Sequence, residues 1–198
     1  QGLPEDAASV LAQLDAPGHT FLAVGTIEPR KGQTQLLDAF EQLWQKNLPV
    51  RLVLVGKAGW KVESLVVRLR AHSELGHRLF WLEGVSDEYL ERLYASSDCL
   101  LAASEVEGFG LPLIEAAQRG VPILARDIPV FREIAGEGVH FVDLDDPRSL
   151  QAAVAAHIAA GAARLDAPVP WLSWRESAAQ FWTQLDAALA GELQPPAK

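Results

Sequence analysis

Six short apolar runs punctuate the chain: TFLAVG at 20–25, VRLVLVG at 50–56, RLFWLEG at 78–84, CLLAAS at 99–104, VPILA at 121–125 and VHFVD at 139–143. They alternate with stretches of about ten to fifteen residues whose apolar positions recur at helical spacing, the rhythm of βαβ units. KGQTQLLDAFEQLWQK places Leu36, Leu37, Phe40, Leu43 and Trp44 on one face, and SDEYLERLYASS does the same with Tyr89, Leu90, Leu93 and Tyr94. The pattern predicts an α/β fold, a Rossmann-like parallel sheet with helices on both faces. Farther along, Asp146 can cap and Pro147 can take the first position of an Ala-rich helix. Pro168 and Pro170 then interrupt the chain, which restarts at Ser173 with Glu176 three residues on, a capping-box spacing.

Composition narrows the functional classes. The 198 residues suffice for one large domain or one lobe of a larger enzyme, and 49% hydrophobic content supports a core. A net charge of −9 without a basic stripe argues against nucleic acid as a partner, so any anion site is local. The single cysteine, Cys99, lies in an apolar run and reads as a small buried hydrophobe. Neither a membrane-span run nor a signal-peptide pattern is present in the chain, from which a soluble, cytoplasmic setting is expected. The absence of methionine and the start at Gln1 predict a lobe excised from a longer protein.

In open α/β sheets ligands bind beyond the carboxyl ends of the strands, so the loops after the strands are where a site is expected. GTIEPRKG (25–32) brings Gly25, Arg30 and Lys31 to the entry of the first long helix, a combination suited to phosphate or diphosphate; a solvated turn is an equal alternative. The G-x-G-x-x-G and Walker patterns are absent. GKAGWK (56–61) is read as a wall of the same cleft or as an ordinary turn, with packing of Trp60 on a neighbouring helix the simpler role. In EGVSDEYL, Ser86 and Asp87 suit helix capping, leaving Val85 and Asp87 near the cleft. SEVEGFGLPLIEAAQRG (104–120) carries the strongest signal. Gly108 and Gly110 allow a ligand close to the main chain, and Glu107 and Glu115, with seven residues between them, offer carboxylates that can grip a sugar diol. Glu105 is read as a solvated charge. Asp143–Asp146 (DLDD) reads as surface rather than as a metal site, and no His/Cys/carboxylate cluster has ligand spacing.

From about Thr20 to Phe181 the chain resembles the donor-binding C-terminal lobe of the family 4, or group 1, retaining glycosyltransferases of GT-B architecture. GTIEPRKG, LFWLEGVSDEYL and EGFGLPLIEA followed by GVPILARDIPVFREI carry the resemblance. It implies that Lys31 contacts the diphosphate of a nucleotide sugar, that Glu115 holds the ribose hydroxyls, and that Glu107 with the backbone of Gly108, Phe109, Gly110 and Leu111 faces the donor sugar and its phosphates. Val85 and Asp87 then lie near the base. Thr26 stands where many members carry arginine, and Arg30 is the substitute. No metal or other cofactor is implied. The expected organisation is a leading helix or linker over 1–19, a Rossmann-like nucleotide-sugar-binding domain over 20–170, a crossover helix over 171–191 and a disordered tail over 192–198. Trp171, Trp174 and Trp182 read as core, with some apolar surface exposed toward an absent N-terminal lobe.

The resemblance extends to bacterial mannosyltransferases of O-antigen and related polysaccharides. It implies transfer of mannose from GDP-mannose to a glycan or lipid-linked glycan acceptor, with UDP-sugars left open. The catalytic set is Glu107, Arg30 and Lys31, with Gly25 completing the phosphate loop; peripheral membrane attachment, at the inner face, belongs to the other lobe. Two alternatives remain at this point: a nucleotide-sugar binding module inactive without its partner lobe, and a GT-B nucleotide-sugar epimerase.

Overall fold

The computed structural model describes residues 3–4, 6–134, 139–161 and 174–190. Helix α1 (Ala7–Leu14) leads into β1 (His19–Val24), a 3₁₀ turn over Pro29–Lys31 and α2 (Gln33–Gln45). Next come β2 (Val50–Val55), α3 (Glu63–Arg70), β3 (Leu79–Leu82), α4 (Asp87–Ala95) and β4 (Cys99–Ala102). The chain continues through α5 (Leu111–Gln118), β5 (Ile123–Arg126), α6 (Pro129–Ile134), β6 (Val139–Val142), α7 (Pro147–Ala159) and α8 (Trp174–Leu189). The strands form one parallel sheet in the order β3-β2-β1-β4-β5-β6.

Alternate residues of each strand feed two separate cores, because successive side chains leave opposite faces of the sheet. Phe21, Leu52, Leu54, Leu79, Cys99 and Leu101 pack under α2, α3 and α7. Leu22, Val53, Val55, Phe80, Leu100 and Ile123 pack under α1, α4 and α5. The five apolar positions read on α2, Leu36 to Trp44, are all buried, as is Cys99. Two caps read from the sequence also form: the Ser86 hydroxyl accepts from the Tyr89 N–H at 3.2 Å, and Asp146 accepts from the Arg148 N–H at 3.0 Å.

Trp182 departs from expectation. Read as core, it is 60% exposed, stacked edge to face on an equally exposed Phe181, because α8 contributes to neither core. Trp171, the Ser173 cap, the Trp174 side chain and the 192–198 tail lie outside the described residues. Among the described residues no helix is long and apolar enough to cross a membrane.

Candidate functional site

The strand order reverses between β1 and β4, so the loops leaving these neighbours part toward opposite faces and open a crevice between them. Glycine then lets the two loops touch. Gly32 has φ +74°, and a Cβ there would lie 2.4 Å from the Ala103 carbonyl oxygen, closer than any side chain permits. The Glu105 N–H donates to the Arg30 carbonyl at 2.8 Å, locking the loops in register.

That docking brings together residues 76 positions apart: the Lys31 ammonium donates to Glu107 Oε1. The Ser104 hydroxyl donates to the same oxygen at 2.8 Å. Arg30 Nη1 donates to the Val106 carbonyl at 3.1 Å and stands 3.9 Å from Glu107 Oε2, while Nη2 pairs with Glu28 at 2.9 Å. Arg30 therefore lies along the β4 loop, over the crevice. Gly25, at φ +144°, leaves room beside it for the Lys31 stem. The space enclosed among Lys31, Ser104, Glu107, Gly110 and Phe131 is only about 20 Å³, so the ion pair nearly fills it.

Burial pushes the Glu107 carboxyl up, but the hydrogen bonds from Lys31 and Ser104 and the charges of Lys31 and Arg30 outweigh it and hold the group below its ordinary value. A depressed carboxyl contributes its stability in full above the ordinary value of 4.5 and loses it as pH falls through the folded value. Melting curves taken from about pH 7 to about pH 3 are expected to show Glu107→Gln less stable than the parent near neutrality, with the gap closing at the acid end. A gap independent of pH would remove the ion pair as its cause.

The β4 loop ends in the helix start that faces the crevice. Gly110 takes φ +82° above the Phe131 ring, with which a Cβ would collide at 2.9 Å. Gly108 is not in the left-handed region and has open space around it, so the conformational need read for both glycines holds for Gly110 alone. Pro112 has no N–H, and the Leu113 N–H returns to Gly110. The N–H groups of Gly108 to Leu111 precede that first helical bond, at the positive end of the α5 dipole. Val106, Phe109 and Leu111 form an apolar rim here, 64%, 54% and 51% exposed.

Other predicted residues are spread along the same sheet edge. The GKAGWK loop runs beside the β1 loop through an Ile27–Ala58 bridge, and Gly56 lies so close that a Cβ would sit 2.1 Å from the Gly25 carbonyl oxygen. Trp60, read as packing on a helix, is instead exposed, with Lys61 beside its ring. Val85 precedes the Ser86 cap and Asp87 opens α4, exposed beyond β3. Glu115 lies one turn inside α5 and is held elsewhere than Glu107: its Oε2 accepts from the buried Tyr94 hydroxyl of α4 at 2.9 Å. Glu105 is exposed and accepts from Gln35 at 3.3 Å.

Three side chains escaped the sequence reading. Ser104 and Tyr94 each hold one of the two glutamates. Arg126, buried at the end of β5, donates to the Ala103 carbonyl at 3.0 Å and to Asp145 at 2.7 Å, tying β5 to the β4 loop. It lines a hollow of about 760 Å³ with Glu105, Asp127, Asp143 and Asp145, whose carboxylates suit hydroxyl donors better than phosphate. No local pattern marks Tyr94 or Arg126, whose partners lie 19 to 23 positions away, whereas Ser104 stands only three residues before the glutamate it holds.

The family model described as glycosyl transferases group 1 matches residues 12–165. The serotype-specific mannosyltransferase WbdA of Escherichia coli is 46% identical over 180 residues, covering 89% of this chain and 22% of the relative. The O-antigen chain mannosyltransferase RfbU of Salmonella typhimurium is 32% identical over 136 residues, covering 68% of this chain and 37% of RfbU. The chain thus spans about a fifth to two fifths of the length of these relatives. Among solved structures, Anabaena Alr3699/HepE in complex with UDP and glucose superposes with a TM-score of 0.67 at 21% identity, over 96% of this chain and 53% of that one, a likeness of fold.

Proposed function

The chain belongs to the group 1 glycosyl transferases, and on that basis we propose that it is the donor-binding lobe of a retaining mannosyltransferase using GDP-mannose in surface-polysaccharide synthesis. One observation carries the reading: Lys31, Arg30 and Glu107 converge at the point where the sheet order reverses, beside the amino end of α5. A diphosphate at this crevice meets two fixed cations and a row of N–H groups. The base lies toward Val85 and Asp87, the ribose toward Glu115, and the sugar toward Glu107.

Transfer breaks the bond from the anomeric carbon to the diphosphate, whose oxygen keeps the electron pair, and forms a bond from an acceptor hydroxyl on the same face, whose proton passes to that departing oxygen. The transition state has oxocarbenium character, so negative charge grows on the departing diphosphate. Lys31, Arg30 and the N–H groups of Gly108 to Leu111 stabilise that charge as it forms. This cation set does the work that a divalent metal does elsewhere, and the reading assigns no metal or other cofactor. Glu107, held ionised by its partners, is no general acid; it accepts hydrogen bonds from the donor sugar and faces the developing positive charge. The acceptor glycan is assigned to a second lobe across the crevice.

Calorimetry of this chain with GDP-mannose and UDP-glucose tests the donor, and product analysis of a protein carrying both lobes tests the transfer. Tighter binding of GDP-mannose and a product with retained anomeric configuration are expected. Donor binding without transfer in the two-lobed protein favours a binding module. A changed sugar after incubation with donor alone marks an epimerase. Preference for UDP-glucose overturns the donor assignment.

A further inference from the structure

We propose that Tyr94 is a positioning residue for nucleotide recognition: its hydroxyl pins one oxygen of Glu115 and so presents the other to the ribose diol. The inference rests on the assignment of Glu115 to the ribose made above.

The geometry is that of a tether. Tyr94 is fully buried in the core beneath α4 and α5, and its hydroxyl donates to Glu115 Oε2 at 2.9 Å. Packing alone does not call for that hydroxyl, since a phenylalanine ring would fill the same volume. A buried phenol needs an acceptor, and the glutamate whose helix begins at the crevice supplies one. The ring is itself clamped. The Arg119 guanidinium lies 4.9 Å from its centroid, donates to the Glu115 main-chain carbonyl, and pairs with Glu91 on α4. Phenol, guanidinium and two glutamates thus join α4, which carries Asp87 and follows Val85, to α5, which carries Glu115.

This arrangement removes a difficulty of using glutamate to hold a diol. Three side-chain torsions let the carboxylate swing, and a bidentate grip on two hydroxyls needs it fixed before the ligand arrives. A carboxylate accepts through both oxygens, so a single proton donated to Oε2 orients the group while Oε1 retains its lone pairs. Burial and the adjacent Glu115 charge push the Tyr94 hydroxyl far up, so it stays a protonated donor throughout the working range. The same clamp fixes the distance from the base side to the ribose side, coupling recognition of the two.

The test compares affinities of this chain for GDP, UDP and ADP with those for their 2′-deoxy forms, measured by calorimetry on the nucleotide that binds tightest. The parent chain is expected to prefer the ribose form by about tenfold or more, the contribution of a hydrogen bond to a charged group. Glu115→Ala is expected to abolish the preference. Tyr94→Phe, which keeps the ring, is expected to reduce it by about threefold or more, with affinity for the deoxy form unchanged. A merely structural tyrosine would lower both affinities together and leave the ratio intact; that result overturns the proposal while the ribose assignment stands. If Glu115→Ala keeps the parent's preference, or none of the nucleotides binds, the ribose assignment falls and the role of Tyr94 falls with it. Melting temperatures read beside the affinities confirm that the Phe chain remains folded.

Discussion

Lys31→Met lowers sugar transfer by about 10²- to 10³-fold in a protein carrying both lobes, the usual consequence of removing one preorganised donor from a developing anion. The lysine is more than a surface cation: its side chain is 16% exposed, held beside Gly25 and paired with Glu107 across the crevice. The pair answers to two demands. Without a ligand, each charge satisfies the other at a largely buried position. With a diphosphate bound, the ammonium serves the leaving group while Ser104 continues to hold Glu107. Methionine keeps the length and apolar stem of lysine, so the fold is expected to survive, with Glu107 left to Ser104 and Arg30. The checks are kcat and KM for GDP-mannose beside a melting curve. A variant that folds, binds donor and turns over like the parent would remove Lys31 from the diphosphate site.

Gly32→Ala is expected to destabilise the chain by about 3 kcal/mol, which for a chain of this length lowers the melting temperature by roughly 6–12 °C. Two independent penalties add at this position. The backbone sits at φ +74°, where a Cβ is strained, and the new methyl would lie 2.4 Å from the Ala103 main-chain oxygen, just beyond β4. Relief requires the two loops to separate, which also parts Lys31 from Glu107. Loss of stability is therefore expected together with loss of nucleotide binding, whereas Gly108→Ala, with open space around it and no left-handed backbone, should leave stability within about 0.5 kcal/mol. Equal melting temperatures for Gly32→Ala and the parent would show that the loops do not depend on this contact.

The contrast between these glycines marks the limit of legibility in the chain. EGFGLP announces a helix start with loose backbone, but only the fold, which holds Gly110 at φ +82° over Phe131 and leaves Gly108 in open space, makes the first indispensable and the second not. The same limit appears at the tryptophans. An apolar residue at helical spacing reads as core, and Trp44 obeys, donating from its buried indole to the Val50 carbonyl at 2.9 Å. Trp182 has equivalent spacing and is exposed, because whether a helix face is covered depends on its neighbours.

By itself the sequence determined the strands, the helices α2, α4, α7 and α8, and two of the helix caps, because periodicity and capping are set by residues within a few positions of one another. It also named the loops that carry cations, glycines and carboxylates. Only the tertiary structure decided which of these groups meet. The reversal of strand order between β1 and β4 sets Lys31 against Glu107, and the packing of α4 on α5 gives Glu115 to Tyr94 instead. Those contacts join residues 76 and 21 positions apart. Separation of that order has no periodic signature, so the partners of a charge follow from how the sheet is wound rather than from the residues beside it in the chain.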